Sequence, residues 1–293
     1  MIKLFSGKNL FTCALILAIF TVPKAYSQKK ADEPVSKDAI NLQYNYAVGN
    51  SVKYFADSKI VQTMDVNGQS MLVNISVSMG CKVKSTGKQG ENLNIEITVD
   101  SLVQNIESPQ GSSGGNINDV KGKLFNTVIS PSGKILDLTE ASKIVYNVEG
   151  SGESNLGESF LNYFPTLPKG PVKIGDSWVS NDTVNSKTST NTVWMPVEAN
   201  SKLEGIEKIN GIDCARITAE LKGTRKMSTQ TQGMEIFTNG PFTGTQTILF
   251  AIKEGYFIKE SVITKMTGTI EIPDQSMSFP VVMDVTSTNE IVK

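Results

Sequence analysis

The chain has 293 residues, of which 39% are hydrophobic and 19% charged, and it contains no histidine. That balance argues against disorder, collagen repeats and a membrane helix bundle. The missing histidine excludes Ser-His-Asp, Cys-His and His-metal mechanisms and removes the usual near-neutral proton switch.

The amino end reads as an export leader over residues 1–27. Lys3 and Lys8 form a basic start, and Leu10 to Val22 is an apolar run of 13, too short for a stable bilayer anchor. Ala25-Tyr26-Ser27 supplies a small–x–small cleavage signal, with the cut expected between Ser27 and Gln28. Cys13 lies inside the apolar run, which argues against lipidation. Without Lys3, Lys8 and Lys24, the 28 basic residues become 25 against 29 acidic ones, a net charge of −4. Arg216 and Arg225 are the only arginines, so there is no basic stripe suited to nucleic acid. No later apolar run is long enough to span a membrane as a helix. The expected location is periplasmic or extracellular.

Residues 28–42 are polar and aperiodic, and are expected to be a flexible tether. Strand signals dominate afterwards. Asn67-Gly68 between two apolar runs predicts a hairpin. Val73, Ile75, Val77, Met79, Cys81 and Val83 then alternate with polar residues, predicting a strand with one buried face. Such a strand is about 40 Å long at ~3.3 Å per residue, and that length favours a twisted, curved sheet. Leu93 to Val99 predicts the returning strand after a turn at Gly87–Gly90. Residues 105–121, rich in Gly, Ser and Asn, predict a loop. Further strands are expected at 122–130 and 133–138. Short helices are expected from Thr139 to Asn147 and from Glu158 to Tyr163, ending at Leu167-Pro168. The carboxyl half predicts strands at 191–206, 212–223, 245–253, 255–268 and 276–288, with Pro280 marking an edge or a bulge.

Three landmarks recur. Val48-Gly49-Asn50-Ser51-Val52 resembles Ile174-Gly175-Asp176-Ser177-Trp178. Lys82 to Ile97 aligns with Lys202 to Ile217 at an offset of 120, and the turns Ser130–Gly133 and Ile252–Gly255 align at 122. The recurrence predicts two related β units, residues 43–165 and 166–293. The fold expected is all-β: two antiparallel, strongly curved, half-barrel-like sheets with a short helical insert near the middle.

Chemical motifs are sparse. Ser85-Thr86-Gly87-Lys88 has S-x-x-K spacing, but its lysine falls in a predicted solvated turn. No nucleophile elbow, phosphate loop or calcium loop occurs, and no cofactor or metal is implied. Cys81 and Cys214 either pair as a disulfide or serve as small buried hydrophobes. Trp178 either plugs the core at a strand start or offers a stacking platform. Methionines on predicted strands suit an adaptable apolar surface. The candidate ligand lining is Val73, Ile75, Val77, Met79, Phe250, Met277 and Phe279, with Trp178 beside it.

Several stretches together resemble secreted β-rich families of unknown function from Gram-negative envelopes. They are the leader, the Val48–Val52 opening, Pro171 to Trp178, the run from Leu203 to Cys214, and the Lys253-Glu254-Gly255-Tyr256 turn. The resemblance covers roughly residues 42–270 and supplies no site residues. More distantly, the pattern is similar to the half-barrels of periplasmic lipoprotein carriers, which implies apolar ligand binding. The expected function is a non-catalytic envelope protein holding a lipid-like ligand on a concave β face. The alternative is an interaction module that binds another envelope protein. A hydrolase built on an acidic dyad stands third.

Overall fold

A computed structural model describes residues 39–292, apart from 67, 149–151, 189 and 232. The leader, its Ser27/Gln28 junction and residues 28–38 lie outside the described residues. The expected tether does not extend to 42. Ile40 pairs with Val172, and Leu42 is only 1% exposed, so this stretch is already part of the fold.

The chain is all-β. Its amino half holds β1 (Ser51–Val66), β2 (Gln69–Gln89), β3 (Asn92–Ser108), β4 (Gly111–Asn116), β5 (Leu124–Ile129) and β6 (Ile135–Asp137). An insert follows, with α1 (Thr139–Ser142), β7 (Val145–Val148), β8 (Gly152–Asn155) and α2 (Leu156–Phe160). The carboxyl half holds β9 (Ser177–Lys187), β10 (Asn191–Ile209), β11 (Ile212–Thr231), β12 (Met234–Ala251), β13 (Tyr256–Ile272) and β14 (Met277–Val292).

The two halves do not form two sheets. They share one, in the order β6-β5-β3-β2-β1-β14-β13-β12-β11-β10-β9, with β4 beside β3. The joint is the antiparallel pairing of β1 with β14, from Lys53↔Val292 to Met64↔Val281. Each half is a meander, and the segments before β1 and β9 bond to the neighbouring strand in similar ways. Gly49 donates to the Ser85 carbonyl while Ser85 donates to Asn50. Gly175 donates to Leu203 while Leu203 donates to Asp176.

Alternation places one face of every long strand in a common core. A single row of laterally paired residues runs Leu203, Ile217, Ile248, Glu260, Asn289, Ala56, Met79, Leu102 across eight strands, and all eight are buried. The next row runs Ser201, Ala219, Gln246, Val262, Ser287, Ser58, Val77, Gln104. The inner face is therefore crossed by polar groups, and the Ser58 and Ser287 hydroxyls bond each other at 2.6 Å.

Two segments cover this face. The strap formed by residues 40–47 crosses both halves. Tyr44 N–H donates to Pro131 O at 2.8 Å, and Asn45 N–H donates to Gly255 O at 2.9 Å. The insert adds Phe160, Tyr163 and Phe164. Tyr44 meets Phe164 and Phe250 edge-on at 5.6 and 5.2 Å, and Tyr54 stacks on Phe257 at 4.4 Å. The buried hydroxyls find partners: Tyr44 donates to Pro165 O, Tyr54 donates to Phe257 O, and Tyr46 shares a hydrogen bond with Tyr54.

Four local expectations change. The expected loop at 105–121 contains the β3–β4 hairpin and a 3-10 turn at Asn118–Val120, because glycines let the backbones pair closely. A Cβ on Gly114 would overlap the Gln104 carbonyl. The turn after β2 falls at Gly90-Glu91, while Gly87 sits at a register shift inside the strand. The helix from Thr139 ends at Ser142, and Val145–Val148 pairs with β8 instead. Pro280 lies in a central strand rather than at an edge, one residue beyond the last pair with β1, where that ladder has ended.

The docking of the strap is testable at its glycine contacts. Gly133 has φ +91°, and an added Cβ would lie 2.5 Å from the Tyr44 ring, whereas Gly49 at φ +84° has open space. Gly49→Ala should cost about 1–2 kcal/mol from backbone handedness alone. Gly133→Ala should cost roughly 3 kcal/mol or more, because the ring must also move. Urea-unfolding midpoints measure the difference, and equal losses would argue against a packed strap.

Candidate functional site

Residues of the sheet's first and last strands line a cleft of about 230 Å³. Lys134, Ile135 and Leu138 come from β6 and its flanks, and Leu161, Asn162, Phe164 and Pro165 from the segment after α2. Ser180 and Asp182–Asn185 come from β9, Val197, Ala199 and Ser201 from β10, and Leu221 from β11. Gln246 and Glu260, on β12 and β13, complete the lining. The walls mix aliphatic side chains with as many polar ones. Lys134, Asp182 and Thr183 are exposed, whereas Glu260 is buried.

Glu260 is the chemically distinctive group. Its Oε1 accepts a 2.7 Å hydrogen bond from Gln246 Nε2. Burial raises its pKa from 4.5 to about 8, with the Gln246 bond pulling the other way. The carboxyl is therefore mostly protonated at neutral pH, and presents one O–H donor along with acceptor oxygens. Sequence parity carried this signal: Glu260 shares a face with Val262, Thr264 and Met266. The signal was obscured by a register shift at Leu249/Phe250, which changes the phase of β13 at its start.

A second acid fastens the insert beside the cleft. The Glu158 carboxylate accepts from Ser154 Oγ at 3.0 Å and from Ser186 Oγ of β9 at 2.8 Å. Its pKa is raised by burial and lowered by these two hydroxyls. Asn155 caps α2 by accepting from Glu158 N–H at 3.2 Å. On the opposite sheet edge, the Glu140 carboxylate accepts from Asn126 N–H at 2.7 Å. The insert thus binds both ends of the sheet.

The expected lining residues do not meet at this cleft. Val73, Ile75, Val77, Met79, Phe250 and Phe279 are buried in the main core, and Met277 packs against it. They are covered by neighbouring side chains, so they form no open trough. Trp178 is the second residue of β9 and is partly buried against the same core, with its Nε1 buried and without a hydrogen-bond partner. Cys81 and Cys214 are both free. Cys81 Sγ lies 3.0 Å from the Tyr163 hydroxyl, whereas Cys214 belongs to a separate small cluster with Ala251 and Ile258. Among the described residues, no cluster of three or more His, Cys, Asp or Glu could hold a metal, and no helix is long and apolar enough to cross a membrane.

Neither protein-family models nor curated proteins match the chain. Among solved structures, DynF from the dynemicin pathway of Micromonospora chersina is 7% identical, covers 95% of this chain and 98% of its own, and has a TM-score of 0.21. A Bacteroides fragilis protein with a YmcC-like fold, named a candidate exported protein, is 9% identical over 86% and 99% of the two chains, with a TM-score of 0.22. A DUF1329 family protein from Desulfovibrio piger is 13% identical over 79% and 83%, with a TM-score of 0.14. Scores this low do not establish a common fold.

The ionisation of Glu260 should register in stability. A carboxyl with a raised native pKa binds its proton more tightly when folded, so its contribution is full below about 4.5 and is lost as pH rises toward about 8. Stability should fall across that window with a slope near 1.4 kcal/mol per pH unit from this group. Glu260→Gln should flatten that slope and stabilise the protein at pH 8 more than at pH 5. Urea unfolding at the two pH values measures this, and an unchanged slope in the variant would contradict the assignment.

Proposed function

We propose that the chain is an exported, non-catalytic binding protein of the bacterial envelope, holding a small apolar or amphiphilic ligand in the cleft between β6 and β9. In this reading the single sheet bends toward a half-barrel, so that its edge strands approach each other and the insert bridges them. The carrying observation is a cleft whose walls combine aliphatic side chains, among them Ile135, Leu138, Val184 and Leu221, with polar ones, and which includes a buried carboxyl, an amphiphilic lining. A volume of about 230 Å³ lies below the ~300–1,000 Å³ usual for drug-sized ligands. It suits a short chain rather than a whole lipid. Binding is favoured over hydrolysis because Glu260 bonds to an amide, which cannot relay a proton as a carboxyl would, while the other carboxyl of the cleft, Asp182, is exposed to water.

A second reading uses the edge of the sheet. β9 pairs only with β10 in the main sheet, and its Val179 is 59% exposed. An extended segment of another envelope protein could add there.

Native mass spectrometry of protein purified from its own envelope should reveal a retained small apolar molecule. Ala199→Trp, which fills the cleft, should abolish that retention while leaving the thermal midpoint within a few degrees. Retention undiminished in this variant, or an empty wild-type protein that captures an envelope protein through β9, would favour the second reading.

A further inference from the structure

Five of the polar lining residues, Lys134, Thr166, Asp182, Thr183 and Asn185, are exposed to water, so selection of a desolvated head group falls to the buried end of the cleft. There Glu260 is paired in register with Ile248 on one side and Asn289 on the other, deep in the inner face. Gln246 occupies one lone pair of Oε1, and the buried Ser201 lines the cleft from β10. The charged side chains that share the cleft, Lys134 and Asp182, are exposed and stand at its mouth. From the strap, Tyr44 is the ionisable group coupled to Glu260, and burial holds its hydroxyl neutral. No lysine or arginine lines the cleft except Lys134, so a carboxylate head carried to the buried end would find no cation to offset its desolvation.

We propose that the Glu260 end of the cleft selects amphiphiles with an uncharged head that both donates and accepts hydrogen bonds, a primary carboxamide being the best fit, over amphiphiles with a carboxylate head. This rests on the cleft being the ligand site. The Glu260 O–H donates to the head's carbonyl, and the head's N–H donates back to a carboxyl oxygen, closing a planar two-bond ring. Ionisation of Glu260 removes the donor and leaves two acceptors facing the head's carbonyl. Recognition of the head is therefore proton-linked.

The test is titration calorimetry with octanamide, octanoate and octylamine against the full mature chain and against Glu260→Gln. With a pKa of about 8 for Glu260, octanamide affinity should fall about tenfold from pH 6 to pH 9 in wild type. It should stay flat in Glu260→Gln, whose amide keeps a donor and an acceptor at every pH. Octanoate should bind at least tenfold more weakly than octanamide at pH 8. Equal binding of the two with no pH dependence would overturn the head-group selection while leaving the cleft as the ligand site. Tighter binding of octylamine at pH 9 would overturn it by assigning the ionised carboxylate to a cation. If wild type binds none of the three while remaining folded by circular dichroism, both the selection and the cleft as ligand site fall.

Discussion

Everything in this molecule depends on covering the inner face of a sheet that is apolar on one side only. Strands of 16 to 21 residues in β1, β2, β11 and β14 bury alternate side chains along most of their length. A lone sheet cannot shield such a face from water. The strap at residues 40–47 and the insert after β6 supply much of the cover. Their aromatic rings concentrate the burial: Tyr44, Tyr46, Phe160, Tyr163 and Phe164 interlock with Tyr54, Phe250 and Phe257 of the sheet. Aromatic pairs in offset or edge-on contact add roughly 0.5–1.5 kcal/mol each beyond area burial. The hydroxyls of Tyr44, Tyr46 and Tyr54 bond to backbone carbonyls or to each other, and that of Tyr163 meets Cys81 Sγ, so this density carries little desolvation penalty.

Against that apolar cover, the polar residues on the inner face stand out. Ser58 and Ser287 satisfy one another, and Glu158 is satisfied by two serines, so both read as structural fasteners. Glu260 differs because it faces a cleft. A buried carboxyl kept protonated costs less than a buried charge, yet it still destabilises the fold relative to an amide or an apolar residue at neutral pH. A cost at a position lining open space suits a group that meets a ligand.

Much of the architecture was legible in the sequence. The antiparallel pairing of β1 with β2 up to Val66↔Gln69, the alternation from Val73 to Val83 and a strand beginning beside Trp178 appear where the periodicity put them, because each depends on local geometry. The loop expected at 105–121 failed because glycine-rich composition describes flexibility in the unfolded chain and says nothing about a neighbouring strand ready to pair. The helix expected through Asn147 failed because β7 gains a partner, β8, within the insert.

The site was less legible. Alternation assigned Val73, Ile75, Val77 and Met79 to an inner face correctly, but whether such a face is open or filled depends on what lies over it. The covering residues come from segments far away in the chain: the strap over a hundred residues earlier than β12, and the insert between the halves. Glu260 and Gln246 belong to adjacent strands and become neighbours only through lateral register, while Ser201 lines the same cleft from β10, on the far side of β11. Sequence by itself determined an all-β chain with one-sided strands, since side-chain alternation is a property of the extended backbone. Tertiary structure alone decided that both halves share one sheet, that Val73, Ile75, Val77 and Met79 are packed into the main core, and that a cleft lies where residues of β6 and β9 face the segment after α2. Long-range pairing and packing have no local signature in the sequence.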